Sequence, residues 1–150
     1  METNKLRITN LKDYLATIVA TIVKVKPLPI NVDFLNNNAN NYSINRIPTE
    51  SKVEMWVNGT EIKRDVYSFR NRKAYSQEVI NNLENIGFFE IFEKIIKSNN
   101  RKGILPNIEG IQSIECLNTG TMQNAETKTA VFDIQIEIKY IEGGFENESN

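Results

Sequence analysis

The segment Val131-Phe132-Asp133-Ile134-Gln135-Ile136-Glu137-Ile138-Lys139-Tyr140-Ile141 has the most regular hydropathy pattern in this sequence. From Phe132 to Tyr140, apolar side chains alternate with polar ones. Because successive side chains of a strand point to opposite faces of a sheet, this alternation predicts a strand with one covered and one wetter face. Residues 111–117 are predicted to form a second strand, and residues 118–128 are predicted to form a polar connection. The two strands are therefore expected to form a hairpin.

Two other segments have apolar residues at helical spacing. In the first, the apolar stripe consists of Leu11, Leu15, Ile18, Ile22 and Val25. It predicts a helix that Thr9 or Asn10 caps and that Pro27 and Pro29 end. The second predicts a helix of about twenty residues that starts near Ser76 and ends at Asn99, Asn100 and Gly103. Gly87 in its middle indicates a bend or a close approach of another element.

The segment between the two helices predicts strands and turns. Strands are expected at 30–34, 42–44, 53–57 and 62–69, and the asparagine-rich window 36–41 is expected to be a loop. Asn58-Gly59 is a strong hairpin signal, because a type I′ turn needs positive φ at both central positions. The predicted fold is therefore α+β: an antiparallel sheet with two main helices packed on one face. We expect one domain over residues 1–142 and an acidic, flexible tail over 143–150.

The composition excludes several classes of site. The sequence has no histidine and one cysteine, Cys116. A Ser-His-Asp or Cys-His site, a thiolate zinc cage and an intrachain disulfide are therefore impossible. No phosphate-binding glycine motif or metal-ligand spacing is present, so we expect no catalytic residue, no cofactor and no metal. No window approaches about 18 uninterrupted apolar residues, and we expect a protein made in the cytoplasm that has no membrane partner.

One local segment stands out from the balanced net charge of -1. Residues 63–73 hold five basic groups and one acid, with aromatic residues between them. The candidate interface residues in and beside this segment are Lys63, Arg64, Arg70, Arg72, Lys73 and Tyr75. Two functions fit this pattern: arginines at the centre of a protein interface, or a small nucleic-acid-binding module that neutralises phosphates and stacks bases.

The order and spacing of several motifs resemble a known family. These motifs are Trp56-Val57-Asn58-Gly59, Tyr67-Ser68-Phe69, Arg72-Lys73-Ala74-Tyr75-Ser76, Asn82-Leu83-Glu84-Asn85-Ile86-Gly87-Phe88-Phe89-Glu90 and Gly103-Ile104-Leu105-Pro106. The chain resembles, over about residues 32–141, the minor capsid or tail terminator proteins of tailed bacteriophages. It departs from their pattern in the loop at 36–41, at Asn71 and in the glutamate-bearing tail.

The resemblance implies a structural subunit and not an enzyme. Such a subunit forms a ring, commonly a hexamer, on the head-proximal end of a tail tube and stops further tube growth. Its implied partners are other copies of itself, the tail tube protein, the sheath protein in a contractile tail, and the head connector or collar. It would assemble in the bacterial host cytoplasm and become part of a virion tail or of a tail-like bacteriocin.

Overall fold

The computed structural model describes residues 6–23, 30–32, 41–74, 79–118, 121–125 and 129–142. The described elements are, in chain order, α1 (Arg7–Val23), β1 (Ile30–Val32), β2 (Asn41–Ile47), β3 (Lys52–Met55), β4 (Glu61–Ala74), α2 (Val79–Lys102), β5 (Ile111–Cys116), β6 (Thr121–Ala125) and β7 (Thr129–Glu142). All seven strands belong to one sheet. No helix within the described ranges is long and apolar enough to cross a lipid bilayer.

Two long strands form the centre of the sheet. β4 and β7 have 14 residues each and pair antiparallel along their whole length, from Glu61 opposite Glu142 to Ala74 opposite Thr129. The outer edge of β4 pairs with β2 and β3, and the outer edge of β7 pairs with β5 and β6. The alternation in the sequence therefore marks a central strand, and β4 continues five residues beyond the predicted end at Phe69.

The sheet differs from the prediction in two strands. β1 pairs with β2 in the parallel direction, so the sheet is not wholly antiparallel. The predicted polar connection at 118–128 contains β6, which forms a hairpin with β7. β6 carries no apolar alternation, because three of the five residues in its sequence, TMQNA, are polar and the two apolar ones are three positions apart. Backbone pairing with the free edge of β7 makes it a strand, and hydropathy alone does not record that pairing.

The hairpin between β3 and β4 is at the predicted place but has a different loop. The amide of Trp56 donates to the carbonyl of Thr60, and the amide of Gly59 donates to the carbonyl of Trp56. The loop therefore has three residues, 57–59, instead of the two-residue type I′ turn expected from Asn58-Gly59. Gly59 has a φ of 91°, which is the left-handed conformation that ends a three-residue hairpin loop.

Both helices cover the same face of the sheet. Leu11 and Leu15 from α1 and Phe92 and Ile96 from α2 join the apolar face of β7 in one core. The β7 members of this core are Phe132, Ile134, Ile136, Ile138 and Tyr140. The ring of Phe69 on β4 stacks on that of Phe92 with a centroid distance of 5.1 Å. The predicted α+β class with two helices on one face is confirmed, and the alternation of β7 points its apolar side to the helices.

The two helices differ from the prediction at their ends. α1 begins at Arg7, so Thr9 and Asn10 lie within the helix and do not cap it. α2 extends to Lys102 and has 24 residues. It ends as predicted at Gly103, whose φ is 77°. The amides of Gly103 and Ile104 donate to the carbonyls of Asn100 and Asn99, which is the Schellman arrangement that satisfies the last carbonyls of a helix.

Replacing Gly87 in α2 with alanine is expected to raise the free energy of unfolding by about 0.5–1 kcal/mol. A Cβ built at Gly87 meets nothing within 4 Å, so the predicted close approach at this glycine is wrong. Alanine restricts the unfolded chain and favours the helix without a clash. Urea denaturation of the variant and the unchanged protein measures the difference. A decrease in stability would contradict this explanation.

Four predicted features lie outside the described residues. They are the stop at Pro27 and Pro29, most of the loop at 36–41, the helix start near Ser76 and the acidic tail at 143–150.

Candidate interface

Strand β4 divides the basic segment between the two faces of the sheet. Its odd-numbered residues share a face with Tyr67 and Phe69, which belong to the core beneath the helices. Arg64, Arg70 and Arg72 are even-numbered and therefore project from the opposite face. We call this opposite side the polar face. Both described helices pack on the other side of the sheet.

The arginines of the polar face are held by neighbouring side chains. The Nη1 atom of Arg64 is 3.0 Å from Oε2 of Glu137, and its Nη2 atom donates to Oγ1 of Thr49 at 2.9 Å. The Nη2 atom of Arg70 donates to Oδ1 of Asn45 at 3.3 Å, while its Nε is buried and has no hydrogen-bond partner within the described part of the chain. These contacts orient Arg64 and Arg70 along the sheet.

Lys63 lies on the helix side of β4, away from the three arginines. Its Nζ is 2.8 Å from Oε1 of Glu142 and 3.8 Å from Oε1 of Glu61. The hydrogen bond to Glu142 raises the pKa of Lys63 above its ordinary value, against the smaller effect of burial. Lys73 pairs with Ala130 in the sheet, its side chain is not described, and Tyr75 lies outside the described residues. Of the candidate residues, the structure places Arg64, Arg70 and Arg72 on one face, with Arg70 and Arg72 adjacent on that face and Arg64 about 20 Å away along the strand.

The polar face also carries acidic groups. On β7, Asp133 lies opposite Arg70, and Glu137 lies opposite both Val66 of β4 and Glu115 of β5. The Oγ of Ser68 donates to Oδ2 of Asp133 at 2.8 Å. Each of the three arginines therefore has a carboxylate that it contacts, that lies directly opposite it, or that lies at the next position on the same face. The polar face thus carries both positive and negative charges. A mixed face suits a protein partner better than a phosphate backbone, which would repel the carboxylates.

A buried ion cluster around Asp65 is the strongest electrostatic feature of β4. The Asp65 side chain is fully buried on the helix side. Its Oδ2 accepts hydrogen bonds from Nε of Arg7 at 2.8 Å and from the Tyr67 hydroxyl at 2.9 Å. Its Oδ1 accepts from Nη2 of Arg46 at 2.9 Å and from the Tyr140 hydroxyl at 3.2 Å. The guanidinium of Arg7 also lies over the Tyr140 ring, 4.4 Å from its centroid.

This cluster connects α1 to the sheet. Burial by itself raises the pKa of Asp65, but the hydrogen bonds from Arg7 and Tyr67 and the positive charges of Arg7 and Arg46 outweigh it. The net result is a pKa below the ordinary 3.8, so the carboxylate stays ionised at neutral pH. Sequence reasoning counted Asp65 only as the single acid in a basic segment. The signal for its burial was its odd number, because the odd-numbered residues of β4 face the core.

The chain offers little for covalent or metal chemistry in its described ranges. Burial, followed by the nearby charges of Glu93 and Glu115, raises the pKa of the Cys116 thiol to about 12. A thiol with this pKa is almost entirely protonated at neutral pH and is a poor nucleophile. Across the described residues, no group of three or more acidic or cysteine side chains is placed to hold a metal ion.

Comparisons with known proteins add no family to these observations. A scan against protein-family models and a search of curated proteins both found no match.

Proposed function

We propose that this chain is a structural tail terminator of a phage or a phage-like particle. It forms a ring on the head-proximal end of the tail tube and ends tube growth. The observation that carries the proposal is the division of the sheet into a helix-covered apolar face and a polar face that holds Arg64, Arg70 and Arg72. A subunit of a closed ring needs distinct surfaces for its neighbours and for the tube, and a sheet whose two sides differ in chemistry supports the proposal. The sequence resemblance supplies the type of assembly.

The polar face fits a protein partner of mixed charge. Arginines that become desolvated at the centre of an interface contribute about 2 kcal/mol or more, whereas exposed ion pairs contribute about 0–1 kcal/mol. Arg70 and Arg72 are half-buried. On the same face, Asn45 accepts a hydrogen bond from Arg70, and Thr49 accepts one from Arg64. In our proposal the tube or the head connector covers this face. Whether identical subunits form a ring is a separate question, which a measurement of the oligomeric state answers.

Changing Arg70 and Arg72 together to glutamine is expected to give tails of uncontrolled length, because the ring no longer docks on the tube. Glutamine is preferred to glutamate because Arg70 lies opposite Asp133, and two carboxylates there would repel each other across the strands. Circular dichroism establishes that the variant folds. Negative-stain microscopy then measures the tail lengths of particles from the strain that produces the variant.

The matched control changes two exposed lysines of α2, Lys94 and Lys102, to glutamine. This control removes the same formal charge from the helix side and should leave tail lengths unchanged. Normal tail lengths from the folded Arg70 and Arg72 variant would show that the polar face does not dock. Normal tail lengths after deletion of the whole gene would overturn the proposed function itself.

A further inference from the structure

A cleft of about 500 Å³ lies between α2 and β5, which is an edge strand of the sheet. α2 lines it with residues one turn apart, among them Glu93, Lys97 and Arg101. β5 lines it with three successive residues, Ile114, Glu115 and Cys116. Because successive side chains of a strand point to opposite faces, a cleft that all three residues line runs along the edge of the strand. We call it the α2–β5 groove.

The outer edge of β5 offers backbone hydrogen-bonding groups to this groove. The amide of Leu117, directly after β5, donates to the carbonyl of Gln135 in β7. Alternate residues of an antiparallel strand bond to the same neighbour, so Ile114 and Cys116 direct their backbone groups outward. The amide of Ile114 is bonded to Oδ1 of Asn100 at 2.9 Å, in agreement with this direction. The outward groups of Cys116 are in the position that an added strand would use.

The floor of the groove is apolar. Ile96 of α2 and Ile114 of β5 are buried members of the core, and Cys116 is half-buried beside them. In an antiparallel neighbour of β5, the residue opposite Cys116 would point its side chain to this same side of the sheet and its amide toward Cys116. One aliphatic residue can therefore cover the floor and bond to the strand at the same time.

The two ends of the groove differ in charge. The hydrogen bond between Asn100 and Ile114 places the Arg101 end of α2 beside Ile114. Glu93 comes eight residues earlier, about 12 Å along the helix axis, and its charge acts on the Cys116 thiol. The groove therefore has a cation at the Ile114 end and a carboxylate at the Cys116 end.

A second charge strengthens each half. Lys97 is exposed and lies one helical turn before Arg101, so it adds positive charge along the groove toward that end. Glu115 is exposed, and its charge acts on the Cys116 thiol as that of Glu93 does. Complementary charges fix the register and orientation of a bound partner. An occupant that is positive at the Cys116 end and negative at the Ile114 end therefore fits best.

We propose that the α2–β5 groove binds an extended segment of another protein, which adds to β5 as an antiparallel strand. The segment then runs from the acidic end of the groove to the basic end. Its residues i and i+4 are about 13 Å apart, which agrees with the separation of about 12 Å between Glu93 and Arg101. The occupant has a basic residue at i, an aliphatic residue at i+2 over the floor, and an acidic residue at i+4.

The sequence of this chain favours a different protein as the partner. Its 150 residues contain no basic, aliphatic and acidic residues in this order and spacing, so a second copy does not supply the segment. The inference goes beyond the proposed function and does not depend on it, because the groove lies at the edge of the sheet and not on the polar face.

A fluorescent peptide with the central sequence Lys-Thr-Val-Thr-Glu tests this proposal. Fluorescence anisotropy should give a Kd of about 100 μM or lower for the unchanged protein. A peptide with the charges exchanged, Glu-Thr-Val-Thr-Lys, should bind about tenfold more weakly, because each end then meets a like charge. K97E with R101E should weaken the binding of the first peptide by about tenfold for the same reason. Both residues are exposed, so this variant is expected to fold.

Two controls separate the groove from general charge effects. K94E with K102E makes the same change in charge at exposed positions of α2 outside the groove and should change the Kd by no more than about twofold. N-methylation of the peptide valine should abolish binding, because that amide faces Cys116. N-methylation of the preceding threonine should not, because its amide points away from β5.

Three results would overturn the proposal. The first is no binding of the peptide at about 500 μM protein, and the second is an equal Kd for the two charge orders. The third is self-association of the unchanged protein that K97E with R101E abolishes while the peptide does not bind, which would assign the groove to a second copy. None of these results bears on tail length, so the proposed function is judged separately by the gene deletion and by the Arg70 and Arg72 variant.

Discussion

Replacing Asp65 with alanine is expected to lower the free energy of unfolding by about 3 kcal/mol, near the lower end of the range for breaking a buried ion pair. The carboxylate accepts four hydrogen bonds, from Arg7, Arg46, Tyr67 and Tyr140. Its removal leaves two buried phenol groups without their acceptor and two guanidinium groups without their counterion. The arginine side chains are 37 and 52% exposed and can turn to water, which limits the loss.

Urea denaturation followed by tryptophan fluorescence measures this loss, since the chain has one tryptophan. The matched control is Asp13→Ala, which removes an acid that is 59% exposed on α1 and should change stability by no more than about 0.5 kcal/mol. A loss below about 1 kcal/mol for Asp65→Ala would mean that the cluster does not fasten α1 to the sheet.

The same carboxylate predicts a dependence of stability on pH. The pKa of Asp65 is lower in the folded protein than the ordinary 3.8, so the unfolded state binds the proton more readily. The stabilisation by ionised Asp65 is therefore complete above about pH 5 and is lost as the pH falls below 3.8 through the folded pKa. Asp65→Asn cannot titrate, and its unfolding free energy should fall less steeply in this acidic range than that of the unchanged protein.

Hydropathy patterns predicted the parts of the fold whose residues bury one regular face. β7 and α2 are the clearest cases, because the core needs their apolar residues at period two and at helical spacing. β6 and the extension of β4 beyond Phe69 were not predicted. Their residues are mostly polar, and they are strands because a neighbouring backbone edge is available. Pairing between distant backbones leaves no periodic signal in the side chains.

The candidate interface was predicted in part for a related reason. Closeness in sequence suggested one basic cluster at 63–73, but a strand sends alternate residues to opposite faces. Arg64, Arg70 and Arg72 share one face, whereas Lys63 lies with Glu142 on the helix side. The parity of the residue numbers was enough to separate them once 63–73 is read as one strand. The Asp65 cluster needed the positions of Arg7 and Arg46, which only the tertiary structure provides.

Replacing Gly110 with alanine is expected to destabilise the protein by about 3 kcal/mol or more, because strain and a backbone clash act together. Gly110 has a φ of 76°, and a Cβ there would lie 2.3 Å from the carbonyl oxygen of Ile141. The amide of Ile141 donates to the carbonyl of Gly110 at 2.8 Å, so neither backbone can move away without losing this bond. Gly103→Ala is the matched control: its φ is 77° and its Cβ position is open, so it should cost only the strain of about 1–2 kcal/mol. Equal losses in urea denaturation of the two variants would show that the contact with Ile141 adds nothing, and that the start of β5 tolerates a shift.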